Sequence, residues 1–278
     1  MKIYKLFALP ALLLGIVMMA RAGYQLFQTE QARQEGSAVY GDLSGQVKKN
    51  AAAPPSAPSV TGTPPAARDE SPDGAEPRRE EEARMDIPGF EIDFEALRTV
   101  SPDAAAWLYS PDTAIDYPVM KADDYSYYLT RLPDGRPNAG GSLFLDYHCA
   151  PDFRDPLTVI YGHHMKSGSM FGSLQGYKKQ AYFEEHPVMY LYTEAGNYRI
   201  ELLYGVLIGA GQWRERAFMH AENLESLLRY AARNTTFVSE AGYQDGDRFA
   251  ALSTCSYEFD DARYVVIGVL RPEAPDRP

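Results

Sequence analysis

The chain has 278 residues, 45% of them hydrophobic and 23% charged, close to ordinary globular usage, which excludes a wholly disordered chain and a polytopic membrane protein. Its formal net charge is −11, and no run of Lys and Arg supplies the basic stripe that a phosphate backbone requires, so nucleic acid is not an expected partner. The two cysteines, Cys149 and Cys255, are too few for a disulfide scaffold and lack paired Cys/His zinc spacing, although the sequence leaves one disulfide between them open.

In chain order, Lys2 and Lys5 precede an uncharged stretch over residues 6–20, and Arg21 follows it. Such an element targets a membrane: it reaches the upper end of a signal-peptide core and falls slightly short of the ~20 residues that span a bilayer. Ala20-Arg21-Ala22 has a small-x-small form, but arginine fits a cleavage site poorly, and Tyr24, Leu26 and Phe27 extend the apolar surface. An uncleaved anchor over residues 1–27 is therefore expected, with the basic residues on its N-terminal side and the rest of the chain outside the cytoplasm. Residues 28–50 read as a polar, weakly helical stalk. Eight of the 20 prolines fall between Ala51 and Pro88, spacing that interrupts helix and sheet hydrogen bonding. Together with the Ala, Ser, Glu and Arg around them, they predict a disordered tether that completes a 28–88 linker. The remaining 190 residues, 89–278, suit one domain with a sizeable core.

Within that domain, spacing at Phe94, Leu97 and Val100 predicts a helix, and Ser101-Pro102-Asp103 starts a new element, a short helix or a strand, over AAAWLY. DDYSYYLT, residues 123–130, reads as one short helix, and residues 131–141 as a loop ending on Gly-Gly. Strands follow: SLFLDY (142–147), LTVIY (157–161), VMYLYT (188–193), YRIELLYGVLI (198–208), RFAALST (248–254) and YVVIGVL (264–270) are β-branched and aromatic runs between Gly, Pro, Asp and Asn. One helix interrupts them, over 222–232, with Leu224, Leu227 and Leu228 on one face. Many strands and few helices predict a mainly β fold, a closed or nearly closed barrel.

Three features stand at strand ends. Tyr161-Gly162-His163-His164 follows LTVIY, glycine allowing the backbone to leave the strand sharply; adjacent histidines point to opposite faces and are poor joint ligands for one metal. Cys255 follows RFAALST, where a cysteine leaves the ladder and reaches solvent. Arg263 stands eight residues on, immediately before YVVIGVL. If the last two strands are neighbours, the loop between them returns Arg263 beside Cys255, where a guanidinium lowers a thiol pKa or holds a developing oxyanion. Thiol, imidazole and guanidinium at one barrel mouth would form an acyl-transfer site.

These residues also carry a resemblance. GSLFLDY, LTVIYGHHMKSGSMFGSL and LSTCSYEFDDARYVVIGVL resemble the signature segments of sortases, particularly class B, over residues 87–270. The resemblance implies an eight-stranded closed β-barrel with N-terminal helices and one long inserted helix. It implies an extracytoplasmic cysteine transpeptidase of mainly Gram-positive bacteria, held at the cell membrane by a single-pass anchor. Carried onto this chain, it makes Cys255 the nucleophile, His163 the general acid and base, and Arg263 the stabiliser of oxyanion and substrate. Thr254, Ser253, Tyr161 and His164 are the implied substrate-binding residues. No metal and no organic cofactor are implied. The implied partners are secreted proteins bearing a C-terminal sorting signal and an amine of a peptidoglycan cross-bridge or a pilin. Some class B members have an acidic residue two positions after the cysteine; here Tyr257 stands there and Glu258 follows, which favours a Cys, His, Arg assignment without a carboxylate. Wall anchoring, pilin polymerisation through a lysine amine, hydrolysis, and an inactive membrane-tethered binding module remain distinct expectations.

Overall fold

The computed structural model describes residues 3–50, 89–218 and 223–273. The tether expected over residues 51–88 lies outside them, as do the side chains of residues 3–13, which carry much of the expected anchor. No helix among the described residues is long and apolar enough to cross a membrane.

The first helix, α1, runs Ile3–Val47 and leads into β1, Lys48–Asn50, which pairs antiparallel with β2, Phe90–Ile92. The segment read as a polar stalk is thus part of the folded unit. Its apolar residues Tyr40, Leu43 and Val47 recur at helical spacing and are all buried; so few of them in a polar context leave little periodic signal. The Tyr40 hydroxyl donates to the Gly141 carbonyl at 2.6 Å, and Lys48 pairs with Asp116 at 2.6 Å.

Helix α2, Phe94–Val100, starts where the Asp93 carboxylate accepts from the Ala96 N–H at 3.0 Å, a standard N-cap. The barrel strands are β3 (Ala104–Tyr109), β4 (Asp116–Met120), β5 (Leu143–Leu145), β6 (Leu157–Tyr161), β7 (Val188–Thr193), β8 (Gly196–Gly209), β9 (Phe249–Cys255) and β10 (Ala262–Pro272). They close in the order β10-β8-β7-β3-β4-β5-β6-β9. β4–β5 and β6–β9 are parallel pairs and the others antiparallel. The expected eight-stranded barrel is therefore present.

Strand β4 was not legible, because DYPVM contains a proline, which argues against a strand interior. The β4–β5 ladder begins at Val119, so Pro118 precedes it. Residues 123–130 are not one helix: the Asp124 carboxylate accepts from the N–H groups of Ser126 and Tyr127 at 2.6 and 2.8 Å, which fixes a turn and leaves only Tyr128–Thr130 as a 3-10 turn.

Apolar residues fill the barrel interior, among them Leu108, Val119, Ile160, Ile200 and Val266. On the outer face, helix α5 (Asn223–Asn234) lays Leu227, Leu228 and Ala231 over Val265, Val269 and Ala251. Covered on both faces, β9 and β10 lose the alternation of a half-exposed strand and read as continuous apolar runs. Between β8 and α5, helix α4, Ala210–Phe218, turns Trp213 inward. Between β6 and β7 lie a 3-10 segment, Gly172–Lys178, and helix α3, Gln180–Glu185.

Candidate active site

Strands β9 and β10 form a hairpin whose last register pair before the connecting loop is Arg263↔Cys255, with Tyr264↔Thr254 next to it. Cys255, the last residue of β9, is partly exposed and its thiol is free. On the other side of β9, parallel β6 places Tyr161 against Ser253. The Gly162 N–H donates to the Ser253 carbonyl at 3.2 Å, and the Thr254 hydroxyl donates to the Gly162 carbonyl at 2.7 Å. These bonds carry the chain from β6 to His163 at the same barrel end as Cys255. Glycine at 162 serves close approach: a Cβ there would lie 2.5 Å from the Leu143 side chain and 2.7 Å from the Phe171 ring.

The three residues line one cleft of about 170 Å³ together with Tyr161, Ser253 and Thr254. Helix α4 contributes Trp213 and Arg214, and the segment before β5 contributes Tyr125 and Leu129. Among the described residues no carboxylate lines the cleft, whereas Arg214, Arg263 and His163 all do. The cleft is thus suited to hold negative charge as it develops. The Arg263 guanidinium donates to its neighbour's carbonyl, Ala262, at 3.0 Å, and the Arg214 guanidinium stands 5.8 Å from the Tyr125 ring centre. A larger cleft of about 770 Å³ is lined by Asp103, Asp123, Asp124, Asp152 and Glu194 but contains no cysteine or histidine.

His163 Nε2 lies 2.7 Å from the Leu129 carbonyl oxygen. A carbonyl only accepts, so Nε2 carries the proton, and Nδ1 is the nitrogen available to exchange one. His164 does not line the cleft. It stacks on Tyr257 with ring centres 5.0 Å apart, and burial lowers its pKa, favouring the neutral ring. Of the sequence-predicted residues, the structure therefore lines the cleft with Cys255, His163, Arg263, Thr254, Ser253 and Tyr161, while His164 lies outside the lining and hydrogen-bonds the Cys255 backbone.

Glu258, the acidic residue nearest the cysteine in its loop, is bonded to Lys178 and Ser256 and is not among the residues lining the cleft. Hydrogen bonds from Lys178 and then Ser256 hold its carboxyl down to about 2. Gln175, on the same 3-10 segment as Lys178, donates to the Cys255 carbonyl at 3.4 Å. The loop after the cysteine is thereby fastened to residues 172–178, a link with no local sequence signal. Cys149 is 3% exposed, and burial pushes its thiol up to about 11; both cysteines are free.

Sequence reading missed Tyr125, Leu129, Trp213 and Arg214. Trp213 and Arg214 lie in AGQWRERAF, whose glycine and scattered apolar residues give a poor helical pattern. Tyr125 and Leu129 come from an irregular segment, and only the fold brings them to the cleft.

No family model matches the chain. Among curated proteins, sortase B of Listeria monocytogenes is 32% identical over 178 residues, 63% of this chain and 72% of that protein. Among solved structures, sortase B of Clostridium perfringens superposes with a TM-score of 0.59 at 26% identity, covering 64% of this chain and all of the other. A class B sortase of Streptococcus pyogenes involved in pilus biogenesis gives 0.58 at 27%, covering 64% of this chain and 98% of its own.

Proposed function

The chain belongs to the sortase B family of cysteine transpeptidases, and from that premise we propose that it cleaves a C-terminal sorting signal after threonine and joins the new carboxyl terminus to an amine of the cell wall. The observation that carries this reading is the register pair Cys255↔Arg263 with His163 in the same cleft.

The Cys255 thiolate attacks the threonine carbonyl carbon, and the electron pair moves to oxygen, where Arg263 and a backbone N–H hold it. Collapse of that intermediate breaks the C–N bond, and the departing amine takes a proton from the His163 imidazolium. The product is a thioester on Cys255. An incoming amine then attacks the same carbon and gives a proton to His163, collapse breaks the C–S bond, and the thiolate is restored. One amide is exchanged for another, with no change of oxidation state and no net consumption of water. Thr254 and Ser253 shape the floor of the cleft and Tyr161 its wall.

Residues 1–27 anchor the enzyme, and the catalytic domain works outside the cytoplasm. The basic flank at Lys2 and Lys5 and the exposed apolar side chains of Leu14, Ile16, Val17, Met18 and Met19 support this placement. Residues 51–88 act as a spacer. A second reading, polymerisation of pilins through a lysine amine, is favoured by the pilus role named for the S. pyogenes relative.

The test incubates the protein with a library of sorting-signal peptides, each with a cross-bridge peptide amine, a lysine-bearing pilin peptide or no amine. Amide product with the cross-bridge amine supports wall anchoring; product with lysine alone selects the second reading. Cleavage unchanged by either amine identifies a hydrolase, and no cleavage with any peptide rejects the enzymatic reading.

A further inference from the structure

Asp146 ends the LFLDY run after β5, and its side chain is fully buried. A buried carboxylate is costly unless each oxygen is satisfied. Here Oδ2 accepts from two tyrosine hydroxyls, Tyr125 at 2.8 Å and Tyr161 at 2.9 Å. Oδ1 accepts from the His148 N–H at 2.9 Å and lies 2.9 Å from His148 Nδ1. The turn that carries this carboxylate is held in turn by Lys121, whose ammonium donates to the carbonyls of Asp146, Tyr147 and Cys149 at 3.2, 2.9 and 2.8 Å.

The two tyrosines come from the two pieces of chain between which the His163 ring is held. Tyr161 ends β6 two residues before His163. Tyr125 begins the segment that presents the Leu129 carbonyl to His163 Nε2. Both rings line the thiol cleft, packed edge to face with centres 5.9 Å apart. Burial first, and then the neighbouring carboxylate, push both hydroxyls up, so each stays an O–H donor across the working pH range.

We propose that Asp146 is a positioning residue for catalysis: through Tyr125 and Tyr161 it fixes the Leu129 carbonyl relative to the end of β6 and so holds His163 as the Nε2–H tautomer with Nδ1 free for proton exchange. Asp146 touches no reacting atom. Its effect is geometric, and small displacements of a proton-transfer group cost large factors in rate. The inference rests on the assignment of His163 as the acid and base.

The test uses the full chain with Asp146→Asn, Tyr125→Phe and Tyr161→Phe, and reads three quantities: melting temperature, kcat and KM for peptide acylation, and the His163 ring signals by nitrogen-detected NMR, assigned with His163→Asn. At a pH where the ring is neutral, the wild type is expected to show a single Nε2–H form of His163. Asp146→Asn is expected to mix the tautomers and lower kcat per folded enzyme by about 10²-fold, with KM changed less than about 3-fold. Each tyrosine variant, which loses only a hydroxyl, is expected to lower kcat by about 10-fold and to shift the same signal. The inference is overturned if kcat per folded enzyme stays within about 2-fold of wild type. It is equally overturned if kcat falls while the His163 signals are unchanged. If Asp146→Asn does not fold, the two tyrosine variants decide the matter by the same criteria. The NMR arm needs no substrate, so a wild type that forms no acyl product contradicts the proposed function, while a tautomer shift in Asp146→Asn still separates the hold of Asp146 on the His163 ring from that failure.

Discussion

The two cysteines present the same side chain in opposite settings. Cys149 is enclosed beside Leu157 and Val159, with its sulfur 3.6 Å from the Leu157 carbonyl and 3.4 Å from the Val159 nitrogen. Burial holds it as a thiol. Cys255 sits where β9 runs out, opposite an arginine, on a cleft lined by cations and aromatic rings. What separates them is place in the fold: a thiol inside a packed wall is a small hydrophobe, and one at a strand terminus opposite an arginine is placed for the nucleophilic role we propose.

The largest effect that sharpens this contrast is expected at the nucleophile. Cys255→Ala should remove the acyl adduct and lower transfer by about 10⁴-fold or more, measured by product chromatography, whereas Cys149→Ala should keep the rate within about 2-fold. Next comes Arg263, which we propose holds the oxyanion. Arg263→Ala should lower kcat by about 10²–10³-fold, and Arg263→Lys should recover only part of it, because lysine keeps the charge but not the planar fork. Steady-state kinetics on both variants checks this, and wild-type rates in Arg263→Ala would break the assignment.

Smaller effects concern stability. The Cys149 thiol is raised in the folded chain, so its contribution is fully present below about pH 9 and is lost as pH rises through about 11. Chemical denaturation should therefore show wild type losing about 2 kcal/mol more than Cys149→Ala across that window, the loss common to both coming from buried tyrosine hydroxyls that burial also raises. The Glu258 carboxyl is depressed, so its contribution is present above about pH 4.5 and is lost as pH falls toward about 2. Glu258 and Lys178 are both partly exposed, and Lys178→Met should cost less than about 1 kcal/mol at pH 7 in the same denaturation assay.

The hairpin that pairs Cys255 with Arg263 was legible because an antiparallel register follows from two adjacent strand runs and a short loop. His163 was legible because it stands at the end of an apolar run. Asp146 was hidden within SLFLDY, where a strand reading counts it only as a polar terminus. Its partners lie 21 and 15 residues away in the chain, and no local pattern joins them. Arg214 was hidden differently, in a short helix whose inward face depends on Trp213 packing against the barrel. The docking of α1 is hidden in the sequence because three buried side chains, Tyr40, Leu43 and Val47, are a weak periodic signal. Strand runs and strand-end residues are local consequences of sequence, whereas strand order and the walls of the cleft are products of closure.

Tandem mass spectrometry of the full chain mixed with a cleavable sorting-signal peptide, quenched in acid before and after addition of an amine, tests the central claim most directly. The predicted result is a mass increase equal to the acyl fragment, mapped to Cys255, that disappears on amine addition as the joined peptide forms. An adduct on Cys149, or peptide joining with no adduct on Cys255 at any time point and undiminished in Cys255→Ala, would contradict it.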